Sequence, residues 1–194
     1  AEARARWGFP ASATVLLVFG GSQGARAINR AVASWVEQGI PEGLCVLWAT
    51  GRAQHDAFAH LDRPDVRVVP YLSPISDAYA AADLALVRGG MMGTSELCAW
   101  GIPMVIVPLP TAAQDHQTAN ARVLEAAGAA RHLPQGELTQ ARIDAEVRRL
   151  LDDPAARRAM GTAARQRGRP TAAVDIARHI AEQLDAPRLD RRSA

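Results

Sequence analysis

With 194 residues, 48% of them hydrophobic and 22% charged, the chain is long enough for one full core but cramped for two, and its mixed composition excludes a disordered or low-complexity segment. No stretch approaches the roughly 20 apolar residues that cross a bilayer, and the opening AEARARWGFP is not a signal peptide, so the sequence reads as soluble and cytosolic. The net charge of +2 hides an asymmetry, with 10 Arg against 12 acids up to Ala141 and 12 Arg against 8 acids from Arg142 onward; without aromatic interleaving or a nucleic-acid motif this reads as a solvated helical face, not a nucleic-acid surface.

Every basic residue is arginine, because the sequence contains no lysine. Cys45 and Cys98 lie far apart in apolar segments with no Cys-x-x-Cys spacing, a pattern of buried thiols that points to neither a disulfide nor a metal. The first residue is alanine, which reads as a start inside a longer protein.

Along the chain, short apolar runs alternate with segments of helical period. TVLLVF is followed by GARAINRAVASWVEQ, LCVLWAT by RAQHDAFAHL, VRVVPYL by SPISDAYAAAD, LALVR by MGTSELCAWG, and PMVIVPL by DHQTANARVLEAAG, with AARHL closing the series. Six strands separated by five helices is the pattern of a Rossmann-like parallel six-stranded sheet with helices on both faces. After Pro134 the chain turns helical through LTQARIDAEVRRLLDDP, PAARRAMGTAARQRG and TAAVDIARHIAEQL. Thr139 and Asp153 are placed as helix N-caps, with Pro154 in a first turn that tolerates it. Residues 186–194 read as a frayed tail.

Ligands of such sheets bind at the carboxyl ends of the strands, which directs attention to four loops. GGSQGAR follows the first strand, and glycines there let backbone approach a ligand beside a helix start. Lacking lysine and the proper glycine spacing, it is neither a Walker loop nor a dinucleotide fingerprint. In VRGGMMGTSE the amides of Met91, Met92 and Gly93 are placed to meet a diphosphate. Glu96 reads equally as an acid near a helix start or as a carboxylate for vicinal ribose hydroxyls. PLPTAAQDHQTANA brings Gln114, Asp115, His116, Gln117 and Asn120 to one helix start, a set suited to a polyhydroxylated ligand or simply to capping and solvation. In VVPYLSPIS, Leu72 borders a place for a flat base.

Together, VLLVFGGSQGARAIN, YLSPISDAYAAADLALVRGGMMGTSELCAWGIPMVIVPLP and DHQTANARVLEAAGAA resemble the carboxyl-terminal, donor-binding half of MurG-type glycosyltransferases (glycosyltransferase family 28, GT-B architecture). The resemblance implies a UDP-N-acetylglucosamine site without metal or cofactor, in which Gly21, Ser22 and Gln23 meet phosphate and sugar and the Leu72 backbone holds uracil. Met91, Met92 and Gly93 would offer amides to the diphosphate, Arg88 would be a further substrate-binding residue, Glu96 would bind the ribose, and Asp115, His116, Gln117 and Asn120 would surround the sugar. It further implies transfer with inversion to a lipid-linked muramoyl-pentapeptide acceptor in peptidoglycan synthesis. The acceptor site and general base would lie in an amino-terminal domain outside this chain, residues 1–13 would be a linker from it, 14–185 the donor domain, and the full protein would sit peripherally on the inner face of the plasma membrane. Departures from the family pattern are Gly89, Gly90 and Met91 where R-S-G-A or R-A-G-A is common, and Trp48 and Ala49 in place of His-Gln before Thr50 and Gly51. Another UDP-sugar transferase, a UDP-sugar epimerase, or a donor subunit of a split transferase would fit the same pattern.

Overall fold

Strands whose successive residues are all apolar need cover on both faces, and the first two central runs are of this kind: β1 (Thr14–Phe19) buries every residue after Thr14, and β2 (Leu44–Ala49) buries all of them. In the computed structural model, which describes residues 2–21 and 23–185, they are joined by β3 (Val66–Val69), β4 (Leu84–Val87), β5 (Met104–Ile106) and β6 (Ala130–His132). The strand order is β3-β2-β1-β4-β5-β6 and every neighbouring pair is parallel. The expected Rossmann-like sheet is therefore present, with the chain reversing its direction of growth between β1 and β4.

The helices are α1 (Glu2–Arg6), α2 (Arg26–Gln38), α3 (Ile75–Ala81), α4 (Met91–Trp100), α5 (His116–Ala126), α6 (Gln140–Asp152), α7 (Pro154–Arg167) and α8 (Ala172–Asp185). Alternation along β1 divides the core. Val15, Leu17 and Phe19 pack with Tyr79 of α3, Leu97 and Cys98 of α4 and Leu124 of α5. Leu16 and Val18 pack on the other side with Ile28, Val32 and Val36 of α2 and Ile143, Val147 and Leu150 of α6. Helix ends follow their side chains: the Thr139 hydroxyl accepts from the Arg142 amide at 3.2 Å, and the Asp153 carboxylate accepts from the Ala156 amide at 2.8 Å, just ahead of Pro154.

Two regions differ in detail from the sequence pattern. RAQHDAFAHL forms no α-helix; it makes two 3₁₀ turns, His55–Ala57 and Ala59–Leu61. Leu61 is the buried residue within these turns, and Phe58 between them packs on Trp48 with ring centroids 5.2 Å apart, so the short turns already place the segment's large apolar side chains on the core. Residues 2–13 are well engaged with the sheet domain. Arg4 grips both oxygens of Asp83 at 2.8 and 2.7 Å, Asp83 accepts from the Val15 amide at 2.8 Å, and Phe9 is in the core. At the other end, every residue of α8 from Ala172 to Leu184 is exposed, and the tail at 186–194 lies outside the described residues. Among the described residues no helix is long and apolar enough to cross a membrane.

Candidate functional site

Parallel register brings the strand ends into one row. Val69 pairs with Ala49, Ala49 with Phe19, Phe19 with Val87, Val87 with Ile106, and Ile106 with His132. The loops that leave this row form the candidate site, centred on the crevice between β1 and β4, where doubly wound sheets bind ligands.

In the β1–α2 loop the glycines mostly serve the protein itself. Gly24 has φ +73°, and a Cβ there would collide with the Thr50 carbonyl, so this glycine lets the loop lie directly on the end of β2. Gly21 borders open space. Ser22 lies outside the described residues. Gln23 is exposed; its carbonyl accepts from the Gln54 side chain at 3.3 Å, and its side chain lines neither cleft described below.

The loop is held from beneath by Asn29, a residue that the motif alone does not single out. It is 1% exposed, donates to the Thr50 carbonyl at 2.7 Å and the Gln54 side chain at 3.2 Å, and accepts from the Trp48 indole N–H at 3.0 Å. A polar residue beside Ile28 on the core-facing side of α2 is the signal that could have found it, since a buried amide needs partners. The same bond gives Trp48 a place in the core.

Helix α4 starts at Met91 after Gly90, with no side chain capping it, so its first amides are available to an anion. Met91 and Met92 are exposed, Met92 to 74%. Glu96 falls in the second turn, and no acid occupies the first, so proximity to the helix start does not account for it. Instead its Oε2 accepts a 2.6 Å hydrogen bond from the phenol of Tyr79, a residue 3% exposed. Burial, and secondly Glu96 itself, pushes the Tyr79 phenol well above its ordinary range.

Arg88, just beyond β4, is half-buried. Its guanidinium donates to the carbonyls of Val107 and Pro108 at 3.1 and 3.0 Å and to Gln135 at 2.7 Å, and desolvation lowers its pKa. In the β5–α5 loop, Gln114 and Asp115 have φ of +53° and +52°, strained values for non-glycine residues and typical of loops that hold a ligand. Asp115 makes no side-chain cap on α5. His116 is exposed and its Nδ1 donates to the Ala113 carbonyl at 2.8 Å. The Gln117 side chain accepts from the Leu109 amide at 3.1 Å. Asn120 donates to the Gly89 carbonyl at 3.0 Å, which places it behind the glycine turn, fixing backbone.

Two clefts meet over these loops. One, of about 440 Å³, is bordered by Tyr71, Leu72, Pro74, Ile75 and Glu96; the other, of about 580 Å³, is bordered by Arg88, Leu109, Gln117 and Gln135. Phe19, Gly21 and Gly93 line both, so the start of α4 stands between an apolar slot with a carboxylate at its edge and a chamber lined with amides and guanidinium groups. Gln23, Asp115, His116 and Asn120 border neither. Among the described residues no three His, Cys, Asp or Glu side chains gather as a metal cluster.

This sheet order, with its crevice at the β1–β4 reversal, defines a Rossmann-like domain of the GT-B glycosyltransferase class. More narrowly, the chain belongs to the glycosyltransferase family 28 C-terminal domain family, which matches residues 15–180. It is 44% identical over 94% of its length to a UDP-N-acetylglucosamine--N-acetylmuramyl-(pentapeptide) pyrophosphoryl-undecaprenol N-acetylglucosamine transferase of Salinibacter ruber, covering 50% of that protein. A transferase of the same name from Rhodococcus jostii is 42% identical over 98% of the chain and 49% of the relative. The crystal structure of Acinetobacter baumannii MurG superposes with a TM-score of 0.76 at 31% identity, covering 88% of this chain and 52% of that one. The chain thus spans about half the length of the curated relatives it matches.

Proposed function

We propose that this domain binds UDP-N-acetylglucosamine and forms the donor half of an inverting N-acetylglucosaminyltransferase acting on an undecaprenyl-diphospho-muramoylpentapeptide acceptor. The observation that carries the reading is the meeting of the two clefts at the start of α4. A nucleotide sugar has an apolar base, a ribose diol, a diphosphate and a polyhydroxylated sugar in that order, and the surface offers complementary groups in the same order. The slot beside Leu72 takes uracil and Glu96 takes the ribose hydroxyls. The first amides of α4 face the diphosphate, and Gln117 and Arg88 border the sugar chamber.

The chemistry follows from that placement. An acceptor hydroxyl attacks the anomeric carbon from the face opposite the diphosphate, the bond to the phosphate oxygen breaks, and its electron pair leaves with UDP. Charge grows on the departing diphosphate, where the α4 amides are already oriented and need no reorganisation. The hydroxyl proton passes to a base supplied from outside these residues, together with most of the acceptor site, and membrane attachment of the whole enzyme is peripheral. Calorimetry tests the donor reading: UDP and UDP-N-acetylglucosamine bind, UDP-glucose binds more weakly, and Glu96→Ala lowers UDP affinity by about 10-fold or more, the worth of hydrogen bonds to a charged group. Absence of UDP binding, or unchanged affinity in the variant, would contradict it.

A further inference from the structure

The larger cleft carries more positive charge than one donor diphosphate accounts for. Besides Arg88, its lining includes Arg26 and Arg30, and no carboxylate lines it at all. Arg88 lies part-buried with only neutral partners, two backbone carbonyls and the Gln135 amide oxygen. Arg26 and Arg30 are exposed at the rim and, among the described residues, make no ion pair or side-chain hydrogen bond. Their position also works against the helix that bears them. Arg26 is the first residue of α2, whose first turn contains no acid, so a cation sits at the positive end of the helix dipole. Arg30 follows one turn later, where two like charges repel. Many side chains would be neutral or better at both positions for folding, so the pair is explained by an anion that occupies the chamber rim in use.

The donor's diphosphate does not fill that role in the reading above, on which this inference rests, because it lies over the α4 amides at the junction of the clefts. We propose that Arg26 and Arg30 form a second anion subsite, on the α2 side of the chamber, which receives a phosphate or diphosphate group of the acceptor while the donor is bound. Guanidinium groups suit this ligand because each presents paired N–H donors to two phosphate oxygens. The subsite would hold the acceptor against the chamber that contains the sugar, and it would weaken with salt as exposed ion pairs do.

The test uses the chain saturated with UDP and titrated calorimetrically with inorganic pyrophosphate, comparing the wild type with the R26Q/R30Q double variant. Both positions are exposed, and an unchanged melting temperature shows that the variant folds. The proposal expects pyrophosphate to bind in the presence of saturating UDP, the double variant to bind it about tenfold more weakly, and the UDP affinity of the variant to stay within about twofold of wild type. Mutually exclusive binding of pyrophosphate and UDP would overturn it, as would equal pyrophosphate affinity in the two proteins. A tenfold fall in UDP affinity in the double variant would assign the pair to the donor site and overturn it as well. If the wild type bound no UDP, the donor reading would fall, while the comparison on pyrophosphate alone would still decide whether the two arginines bind an anion.

Discussion

The phenol of Tyr79 donates to Oε2 of Glu96 at 2.6 Å from inside the core. The bond joins α3 to α4, and Glu96, which lines the slot, keeps Oε1 without a hydrogen bond to another described residue. Tyr79 itself packs against Phe19 and Trp100, with ring centroids 6.3 and 6.0 Å apart, so it is a fixed point against which Glu96 is aimed.

Tyr79→Phe keeps that packing and removes the bond, freeing Glu96 to rotate. UDP should then bind about three- to tenfold more weakly, the usual worth of one hydrogen bond in a site. A diphosphate lacking both ribose hydroxyls, 2′,3′-dideoxyuridine diphosphate, should bind the two proteins equally, because it never engages Glu96. Equal losses for both ligands would mean that the substitution loosens the domain generally, and the positioning role would be wrong.

Tyr79 also predicts a pH dependence of stability. Its phenol is raised above the ordinary value of 10.0 in the folded protein, so the folded state holds this proton longer than the unfolded chain. The resulting stability is fully present below the unfolded value and drains away as pH rises above about 10. Burial likewise raises the thiols of Cys45 and Cys98 from 9.0, and their contribution begins to fall from about pH 9 in any variant that retains them. Urea midpoints measured from pH 8 to 11 should therefore decline less steeply for Tyr79→Phe than for the wild type. Identical slopes above pH 10 would refute the assignment.

The Asn29 bonds make a third case. Asn29→Leu places an apolar group where an amide satisfied three partners, leaving the Trp48 indole N–H and the Thr50 carbonyl short of a bond inside the protein. Each unpaired buried group costs about 1–3 kcal/mol, so the loss of unfolding free energy should be about 2–6 kcal/mol. Because the Thr50 and Gln54 contacts also seat the β1–α2 loop, amide exchange at Gly21 and Gly24 should quicken. A stability change under about 0.5 kcal/mol, typical of surface substitutions, would show that Asn29 does not hold this loop.

What the sequence disclosed and what it hid divide along physical lines. The strands were legible because TVLLVF and LCVLWA are apolar at successive positions, a local property that already implies cover on two faces. The caps at Thr139 and Asp153 were legible for the same reason, since a cap acts over three residues. Glu96 was visible as a carboxylate near a helix start, but the group that holds it, the Tyr79 phenol, is 17 residues away on another helix. Gly24 looked like a ligand-approach glycine until the Thr50 carbonyl was seen against it. Asn120 looked like a sugar contact and is found bonded to the Gly89 carbonyl. In each of these the missing information is a tertiary partner, which no spacing within one motif can supply. RAQHDAFAHL failed differently: its residues permit a helix, but two 3₁₀ turns already seat Phe58 against Trp48 and bury Leu61.

Helix α8 has an apolar stripe without cover. Val174, Ile176, Ile180 and Leu184 are all more than half exposed, Leu184 to 79%, and no residue from Ala172 to Leu184 is buried. Full burial of such side chains is worth about 1.5–3 kcal/mol each, and little of that is gained here, so α8 adds little to the stability of the domain. Its local pairs, Thr171 to Asp175 at 2.8 Å and Arg178 to Asp175 at 3.4 Å, are exposed and worth a few tenths of a kcal/mol each, about the scale of surface helix pairs. A chain ending at Pro170 should accordingly unfold within about 1 kcal/mol of the longer one, and should bind UDP with the same affinity, because α8 borders neither cleft. In the longer chain, amides from Ala177 to Leu184 should exchange far faster than those of β1 and β2. Exchange as slow as in the sheet, or a loss of several kcal/mol on truncation, would mean that α8 packs on the domain in solution and that its apolar stripe is covered by this chain itself.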